Sequence, residues 1–308
     1  MTTILLTGKT GQVGGELQRA LAPLGRVIAL DRTQLDLTDA DSIRKSIRDV
    51  VPGIIVNAAG YTTVDKAESE PDLAMRVNAA APGVMAEEAK RINALLVHYS
   101  TDYVFDGTRS IPYVEEDAPN PLNVYGKSKL EGERAIAASG CAHLTLRASW
   151  IYSARGPNFV LAILRLARER KELAVVDDQI GSPTWARTLA ESTAELLRNS
   201  GLRKIQSGIY HLSTQGYTTR FNFAKRILEL GREISPDTVG ASTLRPISSA
   251  EYPLLAARPL HAATSKDKIK RVFGIEMPGW EDELRSFLID RVAGTGRKSM
   301  GGTVPRYT

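Results

Sequence analysis

The first hundred residues alternate short apolar runs with segments of helical periodicity, and this leaves few folds open. The runs are Ile4-Leu5-Leu6, Arg26-Val27-Ile28-Ala29-Leu30, Ile54-Ile55-Val56 and Leu95 to Tyr99. Between them lie predicted helices beginning after the first glycines and covering 42–50 and 72–93. Strands joined through helices return in the same direction, so the sheet is parallel and both its faces are covered. The expected fold is α/β, a Rossmann-type doubly wound parallel sheet. Further helices are predicted over 124–138 and 158–170, with a strand at Leu144-Thr145-Leu146. Beyond Ala174 the pieces become shorter and prolines punctuate them (Pro183, Pro236, Pro246, Pro253, Pro259). That pattern predicts a smaller mixed α/β lobe that binds substrate. The expected organisation is a dinucleotide-binding domain over 1–172, a substrate lobe over 173–292 interleaved with it, and a flexible basic tail over 293–308.

The turn after the first run carries glycines at 8, 11 and 14 in the stretch Gly8-Lys9-Thr10-Gly11-Gln12-Val13-Gly14. The spacing is G-x-x-G-x-x-G, with a strand before it and an amphipathic helix after it. The first glycine allows the tight turn, the second lets backbone approach a pyrophosphate, and the third lets helix and sheet pack closely. The N–H groups at the start of the helix then face the phosphates. Asp31 closes the second run, roughly 20 residues on, where an acid can accept from an adenosine ribose. It can equally be a strand-end turn residue. Arg32 is adjacent and Lys9 and Arg26 are near, so NADH and NADPH both remain open. Asn57-Ala58-Ala59-Gly60 closes the third run with small residues that leave room for a flat ligand.

Composition excludes several classes. Of a formal charge of +5, Arg291, Arg297, Lys298 and Arg306 in the last 18 residues contribute +4, leaving about +1 for the body. That is not a nucleic-acid-binding surface. No apolar run approaches the length of a membrane span. Cys141 is the single cysteine, so no intrachain disulfide forms. The expected setting is cytoplasmic, with no membrane partner. Asp177-Asp178 reads as a turn, and no catalytic metal is expected.

Catalytic chemistry is legible between Ser100 and Glu133. Tyr125 and Lys129 stand four residues apart on a predicted helix, hence on one face. A cation beside a phenol favours the phenolate and makes the tyrosine a better proton donor. Ser100 and Thr101 lie at the end of the fourth strand, the edge where parallel sheets bind ligands. Trp150 can be read as a core aromatic or as a ligand contact.

Together, G-x-x-G-x-x-G, Asn57-Ala58-Ala59-Gly60, the Ser100-Thr101-Asp102-Tyr103-Val104-Phe105-Asp106-Gly107 stretch and Tyr125-Gly126-Lys127-Ser128-Lys129 resemble the extended short-chain dehydrogenase/reductases. The likeness is dense up to Trp185 and thin afterwards. It implies hydride transfer from NADPH or NADH to the C4 keto carbon of a dTDP-linked deoxysugar. Under it Tyr125 is the proton donor, Lys129 binds the nicotinamide ribose and lowers the tyrosine pKa, and Thr101 sits beside the reacting oxygen. Asp102 and Trp150 would contact the sugar. Gly8, Gly11, Gln12, Val13, Gly14, Asp31, Asp36, Leu37, Gly60, Tyr61 and Thr62, with Tyr125 and Lys129, would line the cofactor. A homodimer is possible within this family. Other readings it implies are a reductase or epimerase of a different nucleotide sugar and a silent dinucleotide-binding subunit. The run Arg258-Pro259-Leu260-His261-Ala262-Ala263-Thr264-Ser265-Lys266 keeps the family's Arg-Pro start and departs from its middle.

Overall fold

In the computed structural model, which describes residues 1–200, 205–236, 240 and 242–299, the apolar runs become a six-stranded parallel sheet. Its elements are β1 (Thr2–Thr7), α1 (Gln12–Leu21), β2 (Gly25–Leu30), α2 (Ala40–Val50), β3 (Ile54–Asn57), α3 (Ala81–Arg91), β4 (Leu95–Thr101), α4 (Val124–Ser139), β5 (His143–Ala148) and β6 (Gly208–His211). The strand order is β6-β5-β4-β3-β1-β2, with every pairing parallel. The chain turns from β1 outward to β2 and then back to β3 on the other side. The topological switch point therefore lies between β1 and β3, where an open α/β sheet binds its ligand beyond the strands' carboxyl ends.

Alternate strand residues face opposite sides. Ile4, Leu6, Ile54, Val56, Leu95 and Val97 pack under α1 with Val13, Leu17 and Leu21. Leu5, Ile55 and Leu96 pack on the other face with Ile43, Ile47, Met85 and Ile136. A third cluster gathers Tyr152, Trp185, Phe223 and Phe287. It lies among helices Phe159–Glu169, Arg220–Ile234 and Trp280–Ser299, apart from the sheet residues, and forms the core of the smaller lobe.

Elements beyond residue 172 also belong with the sheet. Gly208–His211 pairs with β5, and Ala186–Ser200 packs on the α1 face through Leu189, Ala190 and Leu197. A four-residue apolar strand reads the same whichever sheet it joins. The terminal helix continues to Ser299, through residues 293–299 of the expected tail; residues 300–308 of that tail lie outside the described residues. Cys141 is buried and free. No helix among the described residues is long and apolar enough to cross a membrane.

The helix expected over 72–93 arrives in three pieces: Pro71–Met75, a π turn at Arg76–Ala80, and α3. Pro82 explains the break. It has no N–H to donate to the carbonyl of Asn78 four residues back, so the regular ladder cannot pass through this turn. The Asn78 carbonyl lies against α4 instead: a Cβ on Gly132 would stand 2.1 Å from that oxygen.

Candidate active site

Because the strands are parallel, residues that follow β1, β2, β3, β4 and β5 all emerge at one edge. That edge collects Gly8–Gly14, Asp31, Gly60–Thr62, Thr101–Asp102 and Trp150, and α4 brings Tyr125 and Lys129 to it.

The glycine turn is built as a cradle. Gly8 has φ +77°, and a Cβ there would stand 2.8 Å from the Ala59 nitrogen at the end of β3. A Cβ on Gly14 would stand 2.1 Å from the Gly8 carbonyl. Gly11 caps α1 without a side-chain hydrogen bond and the first turn holds no acid, so the helix start is open to an anion. Gln12 Oε1 is buried there without a hydrogen-bond partner. The Arg155 guanidinium lies across Gly15, within 2.9 Å of where its Cβ would be. A buried unsatisfied carbonyl, a cation and an open helix N-terminus fit a dinucleotide pyrophosphate and its hydroxyls. Val13 is buried beneath the turn.

At the end of β2, Asp31 accepts from the Thr33 hydroxyl (2.6 Å) and pairs with Lys9 (3.1 Å). The Thr33 hydrogen bond, and then Lys9, hold its carboxyl down to about 2. An acceptor for ribose hydroxyls and a cation for a phosphate therefore stand side by side. Asp36 turns back on Thr38 and Leu37 leans on the core under α2, so their contacts in the structure shape the loop.

Gly60–Thr62 follow β3. Asn78, on the π turn, clamps this loop to α4: its Oδ1 accepts from the Tyr61 N–H (2.8 Å), and its Nδ2 donates to the Tyr61 carbonyl and to Ser128 Oγ (both 2.9 Å). The Tyr61 hydroxyl donates to Glu70 (2.7 Å), and burial followed by that carboxylate pushes its pKa up to about 12. Thr62 is exposed.

Around the reacting position, Thr101 caps a short turn, and its hydroxyl donates to Asp102 Oδ1 at 3.0 Å. Ser149 Oγ donates to the other carboxylate oxygen at 2.6 Å. Thr101 lies close enough to the buried Tyr125 hydroxyl to act on its protonation. The Tyr125 ring packs edge-on against Tyr103, with centroids 5.9 Å apart. Gly126 allows this approach, because a Cβ there would stand 2.2 Å from the Tyr103 carbonyl.

Burial raises the Tyr125 pKa well above its ordinary value; the Thr101 hydroxyl opposes the rise and the Asp102 charge adds to it. Here the structure departs from the expectation that Lys129 lowers it. The Lys129 amine turns to the sheet, 2.6 Å from the Tyr99 carbonyl and 3.2 Å from His98 Nε2. Helical spacing puts two side chains on one face but does not say where the longer one ends. Burial brings Lys129 down to about 8, with Glu133 pulling the other way.

Trp150 has φ +39°, a backbone conformation costly for a bulky side chain. Its indole is held between Gly181, where a Cβ would stand 2.3 Å from Cε2, and the Arg220 guanidinium, 3.5 Å above the ring. Asp177 and Asp178 are turn acceptors: Asp177 takes the Thr219 hydroxyl, and Asp178 the Ser249 N–H and hydroxyl. Arg258, at the start of the divergent 258–266 run, pairs with Asp65 (2.7 Å), and Ala257 just before it accepts from Asn123, the cap of α4. The smaller lobe is thus tied to the start of the catalytic helix. Asn78, Arg155 and Arg220 were not among the sequence candidates. Pro82 within a helical run was the one signal for Asn78; single arginines in a charged chain carry none.

Asp102 yields a pH prediction. Burial lifts its carboxyl to about 6, against the hydrogen bonds from Ser149 and Thr101. An unfolded Asp releases its proton near 4. Between these values the folded state binds more protons, so this group's stabilising contribution is complete below about pH 4 and lost as pH rises through about 6. Asp102→Asn removes that dependence. Its stability relative to the parent should improve between pH 4 and pH 7.5 by up to about 3 kcal/mol, read from denaturant unfolding at both pH values. A difference independent of pH contradicts this.

With this geometry in place, comparison with known proteins decides the family. The model of the RmlD substrate binding domain matches residues 1–292. The chain belongs to that family. A dTDP-4-dehydrorhamnose reductase from Burkholderia thailandensis is 45% identical over 282 residues, covering 90% of this chain and 95% of the relative. The one from Escherichia coli K12 is 42% identical over 289 residues, covering 92% and 96%. Among solved structures, a dTDP-4-dehydrorhamnose reductase from Bacillus anthracis in complex with NADP superposes with a TM-score of 0.84 at 35% identity, covering 94% of this chain and 99% of that one. RmlD-family relatives of this similarity span the sheet and the smaller lobe alike, so the resemblance read from the motifs holds for the whole described fold.

Proposed function

We propose that the protein reduces dTDP-4-dehydro-L-rhamnose to dTDP-L-rhamnose with NADPH or NADH, using Tyr125 as the acid. What carries the reading is Tyr125 and Thr101 brought together at the sheet edge beside the glycine cradle, in a chain whose RmlD-family relatives match it nearly end to end. A bound reduced nicotinamide supplies the hydride that reaches C4 of the sugar. Each other role belongs to this chain's side chains.

Gly8, Gly11 and Gly14 let the backbone meet the pyrophosphate, with Gln12, Val13 and Arg155 beside it. Asp31 and Lys9 meet the adenosine ribose, the acid suiting free hydroxyls and the lysine a 2′-phosphate, which leaves both cofactors usable. Gly60, Tyr61 and Thr62 edge the same cleft. As hydride arrives, negative charge grows on the sugar O4. Tyr125 gives its proton to that oxygen, and the Thr101 hydroxyl, turned away from Asp102, supports the oxygen. A phenol with a raised pKa stays protonated near neutrality and releases its proton only to a strong base, which a developing alkoxide is. Lys129 holds the nicotinamide ribose. Asp102, beside Thr101, and Trp150, braced by Arg220, face the sugar.

The direct test is to mix protein, NADPH and dTDP-4-dehydro-L-rhamnose and follow the nicotinamide absorbance. Its loss with formation of dTDP-L-rhamnose is expected. NADPH binding without turnover overturns the reductase reading.

A further inference from the structure

Four buried polar side chains run in a line beneath the sheet edge: Thr7 on β1, Asn57 on β3, His98 on β4 and Lys129 on α4. Strand register sets the line, since Thr7 lies opposite Asn57 and Asn57 opposite His98. Thr7 Oγ1 donates to Asn57 Oδ1 (2.7 Å), as does the Ala59 N–H (3.3 Å). These donors orient the amide and leave Asn57 Nδ2 facing His98 Nδ1 at 3.0 Å. An amide nitrogen only donates, so Nδ1 is the acceptor and the imidazole proton sits on Nε2.

That proton points at Lys129 Nζ, 3.2 Å away. An ammonium has no lone pair to receive it. A neutral amine has one, and can still donate to the Tyr99 carbonyl at 2.6 Å. Other charged or titratable groups around the His98–Lys129 pair are already engaged, among them His143 on β5, which bonds the Cys141 carbonyl. Glu133, one turn further along α4, is bonded to Arg147 and Ser100, and Tyr125, one turn earlier, faces Thr101. The loop at Gly60, whose Cβ position is 3.9 Å from Nζ, brings no charge.

We propose that His98 is a positioning residue that keeps Lys129 as the neutral amine on the sheet, so that Lys129 takes up a proton when it turns to the ribose of a dinucleotide. This rests on the reading above that Lys129 meets that ribose. The chain Thr7–Asn57–His98 thereby connects the start of the glycine turn with the charge on the lysine, and cofactor binding and protonation become linked. Burial, which holds Lys129 near 8, acts in the same direction as the His98 donor.

The test is calorimetry of NADPH binding to the full chain at about pH 8, in buffers of different ionisation enthalpy, which counts protons taken up. At that pH the nucleotide's phosphates, with a second pKa of about 6, contribute little. The parent protein should take up a large fraction of one proton per NADPH bound. His98→Gln can turn an amide oxygen to the amine, and Asn57→Asp makes Nδ1 the donor and Nε2 the acceptor. Both variants should lose most of the uptake while still binding NADPH. A His98 that served packing alone would change affinity and leave the proton count as it was. NADPH binding without proton uptake in the parent, or the parent's count in both variants, overturns the proposal. Failure of the parent to bind NADPH at all overturns the dinucleotide reading of the site, and this proposal with it.

Discussion

Tyr125→Phe is expected to bind NADPH as the parent does and to reduce dTDP-4-dehydro-L-rhamnose about two to four orders of magnitude more slowly, the usual range for losing a positioned acid. The substitution removes one oxygen. The ring keeps its edge-on packing against Tyr103, and the close approach allowed by Gly126 is untouched. What disappears is the proton donor beside Thr101. The loss should fall on kcat, with KM little changed, because a group used only as charge develops on the sugar oxygen adds nothing to ground-state binding. Steady-state kinetics with both substrates varied will show the split. A variant within tenfold of the parent would remove Tyr125 from the role.

Arg147→Ala should give the largest loss of stability. Arg147 and Glu133 form an ion pair at 2.6 Å with side-chain exposures of 1% and 2%, and Ser100 Oγ completes the Glu133 shell at 2.5 Å. Arg147 also lies over the Phe105 ring, 5.0 Å from its centroid. Removing one partner leaves a buried carboxylate with a single hydroxyl, a defect that typically costs about 3–5 kcal/mol. For a chain of this size the melting temperature should fall by on the order of 10 °C. The pair joins β5 to α4, the helix that carries Tyr125 and Lys129, so activity should be lost at lower temperature than in the parent. The double variant Arg147→Met with Glu133→Leu leaves no buried charge unpaired and should recover much of the loss. Thermal unfolding followed by circular dichroism compares the three proteins. A single variant that melts with the parent would mean that the pair does not hold the helix.

The parts of this protein that periodicity encodes were readable from the chain. Ile4-Leu5-Leu6 followed by three spaced glycines could hardly be anything but a first strand and its turn, and four further runs completed most of the sheet. Gly208–His211 lies where the chain breaks into short pieces, and its place beside β5 depends on packing, which a four-residue run does not record. The candidate site was legible where a motif carries it, at Tyr125, Lys129 and Thr101, and where small residues mark strand ends, at Gly60. It was not legible where a side chain's direction decides its role. His98 sits inside Leu95-Leu96-Val97-His98-Tyr99 and read as part of an apolar strand, although its ring faces Asn57 on one side and Lys129 on the other. Lys129 itself was found by spacing and assigned to the tyrosine, whereas its amine lies on the sheet. Asn78 was hidden for another reason: the π turn that presents it arises from the N–H that Pro82 lacks four residues later. Arg155 and Arg220 reach the site from connections after β5 and from the smaller lobe, where the chain offers no repeating pattern.

On the proposed mechanism, this sheet edge delivers a nicotinamide hydride to C4 of the sugar while Tyr125 protonates the oxygen. Reduction of dTDP-4-dehydro-L-rhamnose with NADPH deuterated at the transferring C4 position, followed by NMR of the product, tests that claim most directly. The expected product is dTDP-L-rhamnose carrying one deuterium, at C4 of the sugar. Deuterium retained entirely in the nucleotide, or found at another sugar carbon, would contradict it.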